Sequence, residues 1–384
     1  MALFQLGFRP FFLAAGALAV AGMALWMGVW VFHLPLLPES VSPPYWHAHE
    51  MIYGYALAVV AGFLLTAVRN WTGVQTLCGR PLQLLLAIWL LARCVVFLDG
   101  RVALMAALLL DDLFIIYLSV ALTLPVARAR LWKNMGVISK LYFFLVGNII
   151  YTLGALGLWE SGERIGVFIG LYMILSLILV LARRVLPMFI ERGVGGGVTL
   201  TNRTWVDIAC FLLFLIFAVL DIFFAQPALV AGLSAALAVL HSIRLAGWHT
   251  AGIWRRPLLW VLFIAYGWMI VGFALIAAAS LFDLPPSLAI HALTVGGIGM
   301  MTLGMMCRIA WGHTGRDIQR PPHGLTAIFL LLAIAAVTRV FLPLWFDPQL
   351  AIACSQLLWI AAFTLFLYRY SALLIRPRID GKAG

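Results

Sequence analysis

The sequence predicts an all-α, polytopic membrane protein of about twelve transmembrane helices, and three observations lead there. Hydrophobic residues make up 65% of the chain against 10% charged, and the mean hydropathy is +1.07, so most of the surface must be solvated by lipid. Apolar runs of about 20 residues, the length that crosses a bilayer, recur twelve times along the chain. Basic residues fall almost entirely in alternate connections, as expected of short cytoplasmic loops. The long uninterrupted runs also exclude a closed β-barrel, whose strands alternate apolar and polar residues.

Taken in order, the runs centre near Val20, Val59, Leu90, Ile115, Ile149, Leu175, Leu215, Leu237, Met269, Met300, Leu332 and Ile360. With the N-terminus inside, Arg9, Arg69, Arg80, the arginine-rich links around Arg128, Arg183 and Arg255, and the stretch from Arg376 to Lys382 all lie on the cytoplasmic side. Only Arg93, Arg101, Arg164 and Arg339 are left for the outer side, where the loops carry acids such as Glu39, Asp99, Glu160, Asp221 and Asp283. Both termini are therefore expected to be cytoplasmic. The formal charge of +11 follows from this bias. It points to a bilayer with anionic lipids as partner and to no nucleic acid. Connections are short, so residues 1–384 read as a single transmembrane helical domain, with Glu191 to Thr201 a glycine-rich tether.

Five cysteines are scattered without a C-x-x-C pair, so no disulfide framework is expected. The absence of C-x-x-C-H removes covalent haem attachment. Any haem would be b-type, held by axial ligands and packing.

The second and tenth segments share a layout. His49 to Gly73 and His291 to Gly315 each open on a histidine, continue as an apolar helix and close on Thr-Gly, and in that register Gly54 matches Gly296 and Gly62 matches Gly304. An imidazole in an apolar segment is costly and usually has a task. His47 and His49 are separated by roughly 200° around a helix, so they face different partners. Tyr53, Ala56 and Phe63 below His49 have the bulk to line a flat ligand, and Gly296, Gly297 and Gly299 below His291 would let a planar group approach the backbone. A haem ligated by His49 and His291 fits these faces. His47 and His33 are then left for a second metal, where imidazole suits copper.

Buried charge is the other signal. Asp111 and Asp112 fall inside the fourth segment, Arg93 near the outer end of the third and Arg339 near the outer end of the eleventh. Such charges pair or line a pathway. One reading is an ion pair of Arg93 with Asp112. The other makes Arg93 or Arg339 a partner for a cofactor carboxylate and the aspartates a proton relay.

Several motifs carry a resemblance. Phe8-Arg9-Pro10-Phe11-Phe12, Trp46-His47-Ala48-His49-Glu50-Met51, Asn70-Trp71-Thr72-Gly73, His291-Ala292-Leu293-Thr294-Val295-Gly296 and Gly312-His313-Thr314-Gly315-Arg316 are similar to those of the NnrS family. The resemblance implies a bacterial inner-membrane protein of twelve helices that contains haem and copper and contributes to nitric oxide tolerance and denitrifying metabolism. It marks His47, His49, His291 and His313 as the motif histidines, without saying which holds which metal. It also implies nitric oxide or another small gas as ligand and an electron donor of unknown identity. The chain departs from the family pattern at Ala182-Arg183-Arg184-Val185-Leu186-Pro187-Met188-Phe189-Ile190 and at Phe263, where many members carry a histidine.

Two other classes compete. Haem-copper oxidases and nitric oxide reductases also use twelve helices with histidines on the second and tenth, but they need more on the middle helices. The sixth and seventh segments here contain none. A transporter of a metal, metal complex or haem would need a polar midplane pathway, for which Asp111 and Asp112 are the only strong acids.

Overall fold

Every regular element among the described residues of the computed structural model, which covers residues 2–224 and 226–382, is helical. Among the described residues eleven helices are long and apolar enough to cross a membrane by length and composition. The third expected segment forms the helix Arg80–Val95, whose 16 residues give a rise of about 24 Å, short of a hydrocarbon core of about 30 Å.

Two compact units divide the chain. The first holds Met1–Leu177, Ile309–Arg316 and Phe363–Gly384, and the second Ile178–Arg308 and Asp317–Ala362.

In the first unit run α1 (Phe8–Trp30), α2 (Pro43–His49), α3 (Leu57–Thr72), α4 (Arg80–Val95), α5 (Arg101–Arg128), α6 (Met135–Ala155) and the start of α7 (Gly162–Val194). Pro43 and Pro44 open α2, where a missing N–H costs nothing. The pairs α1 with α3, α4 with α5 and α5 with α6 pack together. On α5, Leu104, Leu108, Asp111, Ile115, Leu118 and Leu122 form a buried stripe, while Leu109, Leu113, Ile116, Val120 and Leu124 are exposed. Both stripes step by three and four residues, as one helix face does, and the exposed one is the lipid face.

The second unit holds the rest of α7, then α8 (Thr204–Phe223), α9 (Pro227–Gly247), α10 (Pro257–Phe282), α11 (Pro286–His291), most of α12 (Met300–His313), α13 (Leu325–Val340) and the start of α14 (Pro348–Ile375). Here α8 packs on α9, α9 on α10, and α10 on α11 and α13.

The two segments that open on a histidine share a local departure from α geometry. Directly after His49 the backbone is π-helical over Glu50–Ala56, and directly after His291 it is π-helical over Ala292–Gly299. Such stretches are rare and concentrate where function re-aims side chains.

Candidate functional site

The first unit encloses a polar cluster built around the start of that π-helical stretch. His49, at the end of α2, is 3% exposed, and Glu50 is 4% exposed. The His49 ring stacks between Tyr53, at 4.8 Å and 19°, and Tyr151 of α6, at 4.4 Å and 28°. Its Nε2 lies 2.8 Å from Oδ1 of Asn148 on α6, and its Nδ1 lies 3.7 Å from Oε1 of Glu50. Tyr53 donates its hydroxyl hydrogen to the Gly166 carbonyl at 2.6 Å, which holds that ring in place.

The amide of Asn148 decides the tautomer of His49. Its Nδ2 faces the Leu108 carbonyl at 3.4 Å and Oδ1 of Asp112 at 2.9 Å. A main-chain carbonyl can only accept, so the amide nitrogen must point there and the amide oxygen toward His49. Nε2 of His49 is therefore the protonated nitrogen. Nδ1 faces Oε1 of Glu50.

Arg93 binds the other side of Glu50. Its Nε lies 2.9 Å from Oε2 of Glu50, and its Nη2 forms a short hydrogen-bonded ion pair with Asp111. The guanidinium also lies over the Trp89 ring at 5.8 Å, and Trp89 donates to the Gly54 carbonyl at 3.2 Å. Gly54 leaves room for this arrangement: a Cβ would stand 2.9 Å from Oε2 of Glu50 and 3.1 Å from Nη1 of Arg93. The cluster thus gathers Glu50, Asp111 and Asp112 against one arginine. Nη1 of Arg93 and Oδ1 of Asp111 are buried without a hydrogen-bond partner.

The partners differ from the pairing expected from sequence. Arg93 joins Asp111, not Asp112, because Asp111 lies on the buried stripe of α5 while Asp112, one residue and about 100° further on, turns to Asn148. His47 faces away from His49, stacking on Trp26 of α1 at 4.5 Å and 6°. His33 is exposed in the link after α1, with φ of 52°.

In the second unit, Nδ1 of His291 donates to the Ser287 carbonyl at 2.7 Å, which leaves Nε2 as the basic nitrogen. The glycines expected to admit a flat ligand are approached by indoles instead: a Cβ on Gly296 would meet Trp268 at 2.3 Å, and one on Gly299 would meet Trp359 at 2.7 Å. Arg339 is half-buried, with no hydrogen bond or ion pair among the described residues. Phe263 lies against the ring of His249 at 5.8 Å.

The donor chemistry bears differently on the two histidines. Metal-binding imidazoles donate through one nitrogen and coordinate through the other, and His291 has that tautomer. His49 donates through Nε2 to Asn148, but its other nitrogen faces Glu50 at 3.7 Å and both ring faces are covered, so iron at that nitrogen would have to displace the carboxylate. No group of three or more His, Cys, Asp or Glu is placed to hold a metal ion among the described residues.

Two further motifs have structural work in the first unit. Arg9, fully buried, donates from Nη1 to the carbonyls of Leu374 at 2.9 Å and Arg376 at 2.8 Å, satisfying the open C-terminal end of α14. His313 packs on Phe8 at 5.8 Å, and its carbonyl accepts from Arg378 at 2.9 Å. The Ile379 amide donates to the Thr314 carbonyl at 3.3 Å. The Gly312 to Arg316 motif is thus a dock for the C-terminal segment.

Glu50, Asn148 and Tyr151 complete the cluster beyond what the sequence reading names, whereas Tyr53 lies beside His49 as that reading expects. Glu50 stood inside a quoted motif, and Asn148 was visible as a lone amide in the apolar run Phe143 to Ile150.

A chain whose described residues form only helices, eleven of them candidate spans, and which buries a histidine, an arginine and two carboxylates at one site, is a polytopic membrane protein with an intramembrane polar centre. The chain belongs to the NnrS family: the family described as NnrS protein matches residues 2–378, nearly the whole length. No curated protein sequence matches it.

Proposed function

We propose that this NnrS-family protein contributes to nitric oxide tolerance in the bacterial inner membrane, handling the gas or its redox chemistry at a centre carrying non-covalent haem and copper. Membership of the family supports the nitric oxide role. The observation that carries the local reading is His49, locked by Asn148 with its second nitrogen facing Glu50. Such a group holds or delivers one proton at a fixed position. His291, which donates through Nδ1 to a main-chain carbonyl as metal-binding imidazoles do, is the candidate for iron. Haem bound there would supply one-electron chemistry and an affinity for nitric oxide. His47 and His33 remain the imidazoles for copper. The arginine bias supports both termini in the cytoplasm.

The test is the optical spectrum and metal content of the purified protein and of two variants. His291→Ala is expected to lose haem absorbance. His49→Gln is expected to keep it while shifting the pH dependence of the haem midpoint potential. Loss of haem from both variants, each still folded, would restore the His49 and His291 axial pair; wild-type protein purified without haem or copper would overturn the cofactor reading.

A further inference from the structure

The second unit contains a cavity of about 350 Å³ at the end where α8 begins and α9 finishes, lined in part by Thr201, Asn202, Arg203, Asp207, Arg244 and Trp248. Because one candidate span starts there and the next ends there, the cavity opens at a membrane edge. Its volume lies within the range of small-ligand sites.

The side chains around it are fixed in advance. Arg244 is 8% exposed and donates to Oδ1 of Asp207 at 2.9 Å and to the Tyr266 hydroxyl at 3.0 Å. Tyr266 is braced in turn by Nδ1 of His241 at 2.6 Å. Arg183 donates from Nε to the other Asp207 oxygen at 2.5 Å. Both oxygens of that carboxylate are therefore taken, while Nε of Arg244 is buried without a partner. Arg203 is exposed, and its guanidinium has no hydrogen bond or ion pair among the described residues. Two guanidiniums thus pair with one carboxylate, and that of Arg203 lines the same cavity unpaired, a formal excess of two positive charges. The first amides of α8 add the positive end of a helix dipole.

We propose that this cavity binds the phosphate of an anionic phospholipid, with Arg203 and Arg244 as its partners. Phosphate is the oxyanion that guanidinium pairs recognise. A free phosphate shares that chemistry, but the surroundings favour a lipid: Trp205, Ile208, Leu212, Ile216 and Val219 form a stripe along α8 that starts at the cavity, and each is about half exposed. Acyl chains can lie along the stripe while the headgroup enters the cavity.

The test titrates the full-length protein in mild detergent with short-chain phosphatidylglycerol, with phosphatidylcholine of the same chain length, and with inorganic phosphate, counting bound molecules by native mass spectrometry. One phosphatidylglycerol is expected to bind about tenfold more tightly than phosphatidylcholine. Arg203→Ala should abolish that preference without moving the lipid-free thermal midpoint, because Arg203 holds no structural contact. Arg320→Ala, at an arginine whose side chain is 90% exposed elsewhere in the same unit, should leave the preference intact. Equal binding of the two lipids, or an equal loss in both variants, would overturn the site. Displacement of phosphatidylglycerol by inorganic phosphate of equal affinity would overturn the lipid assignment.

Discussion

Nε2 of His49 donates to Oδ1 of Asn148 across 2.8 Å, a bond between the end of α2 and the middle of α6 that sets which nitrogen of a buried imidazole is basic. Because the same amide donates to Asp112, one side chain orients a base and an acid together.

Removing that amide should therefore disturb two groups at once. Asn148→Ala leaves a buried N–H and a carboxylate oxygen without partners, at about 1–3 kcal/mol for an unsatisfied group and more for a charged one. A lowered midpoint of thermal unfolding in detergent is expected, and an unchanged midpoint would mean that water replaces the amide.

Arg93 holds Glu50 and Asp111 together. Arg93→Leu strips the guanidinium that pairs with two buried carboxylates, and breaking a buried pair costs about 3–5 kcal/mol. The double variant Arg93→Leu with Asp111→Leu should recover part of the loss, whereas Arg93→Leu with Asp112→Leu should not. Monodisperse yield and thermal midpoint read both.

Gly54→Ala pushes a methyl group against Glu50, Arg93 and the end of Leu18. Overpacking of this kind costs about 1–3 kcal/mol. The equivalent substitution at Gly136, where a Cβ meets nothing within 4 Å, should be close to neutral, and the two midpoints compared side by side separate steric cost from helix propensity.

The C-terminal dock should respond to acid. Arg378 donates to both oxygens of Asp380 and so holds that carboxyl well below the usual carboxylate range. A carboxyl lowered on folding contributes above its unfolded value of about 3.9, and the contribution fades as pH falls below it. Hydrogen exchange at Ile379, corrected for its intrinsic rate, should be steady from about pH 7 to about pH 5 and rise only below about pH 4. In Asp380→Asn it should be fast throughout.

How much of this was legible in the residues depended on what each feature contrasts with. The membrane class, the order of the helices and the shared opening of the second and tenth segments stood out because charged residues against an apolar background are sparse and costly. The π-helical backbone after His49 and His291 was not legible, since a run of small and apolar residues supports α and π geometry alike. Glycines 296 and 299 announced a close approach, but not that the visitors would be Trp268 and Trp359.

What the sequence determined alone is therefore the solvent of each segment: lipid for the spans, water for the arginine-rich links, and a buried polar site somewhere along the second span. Tertiary structure decided who meets whom. Hydropathy does not tell a helix face turned to lipid from one turned to another helix, because hydrocarbon tails are as apolar as leucine. The choice of Asp111 over Asp112 for Arg93, and of Asn148 for His49, rests on a rotation of about 100° per residue that only the packing of α5 against α4 and α6 settles.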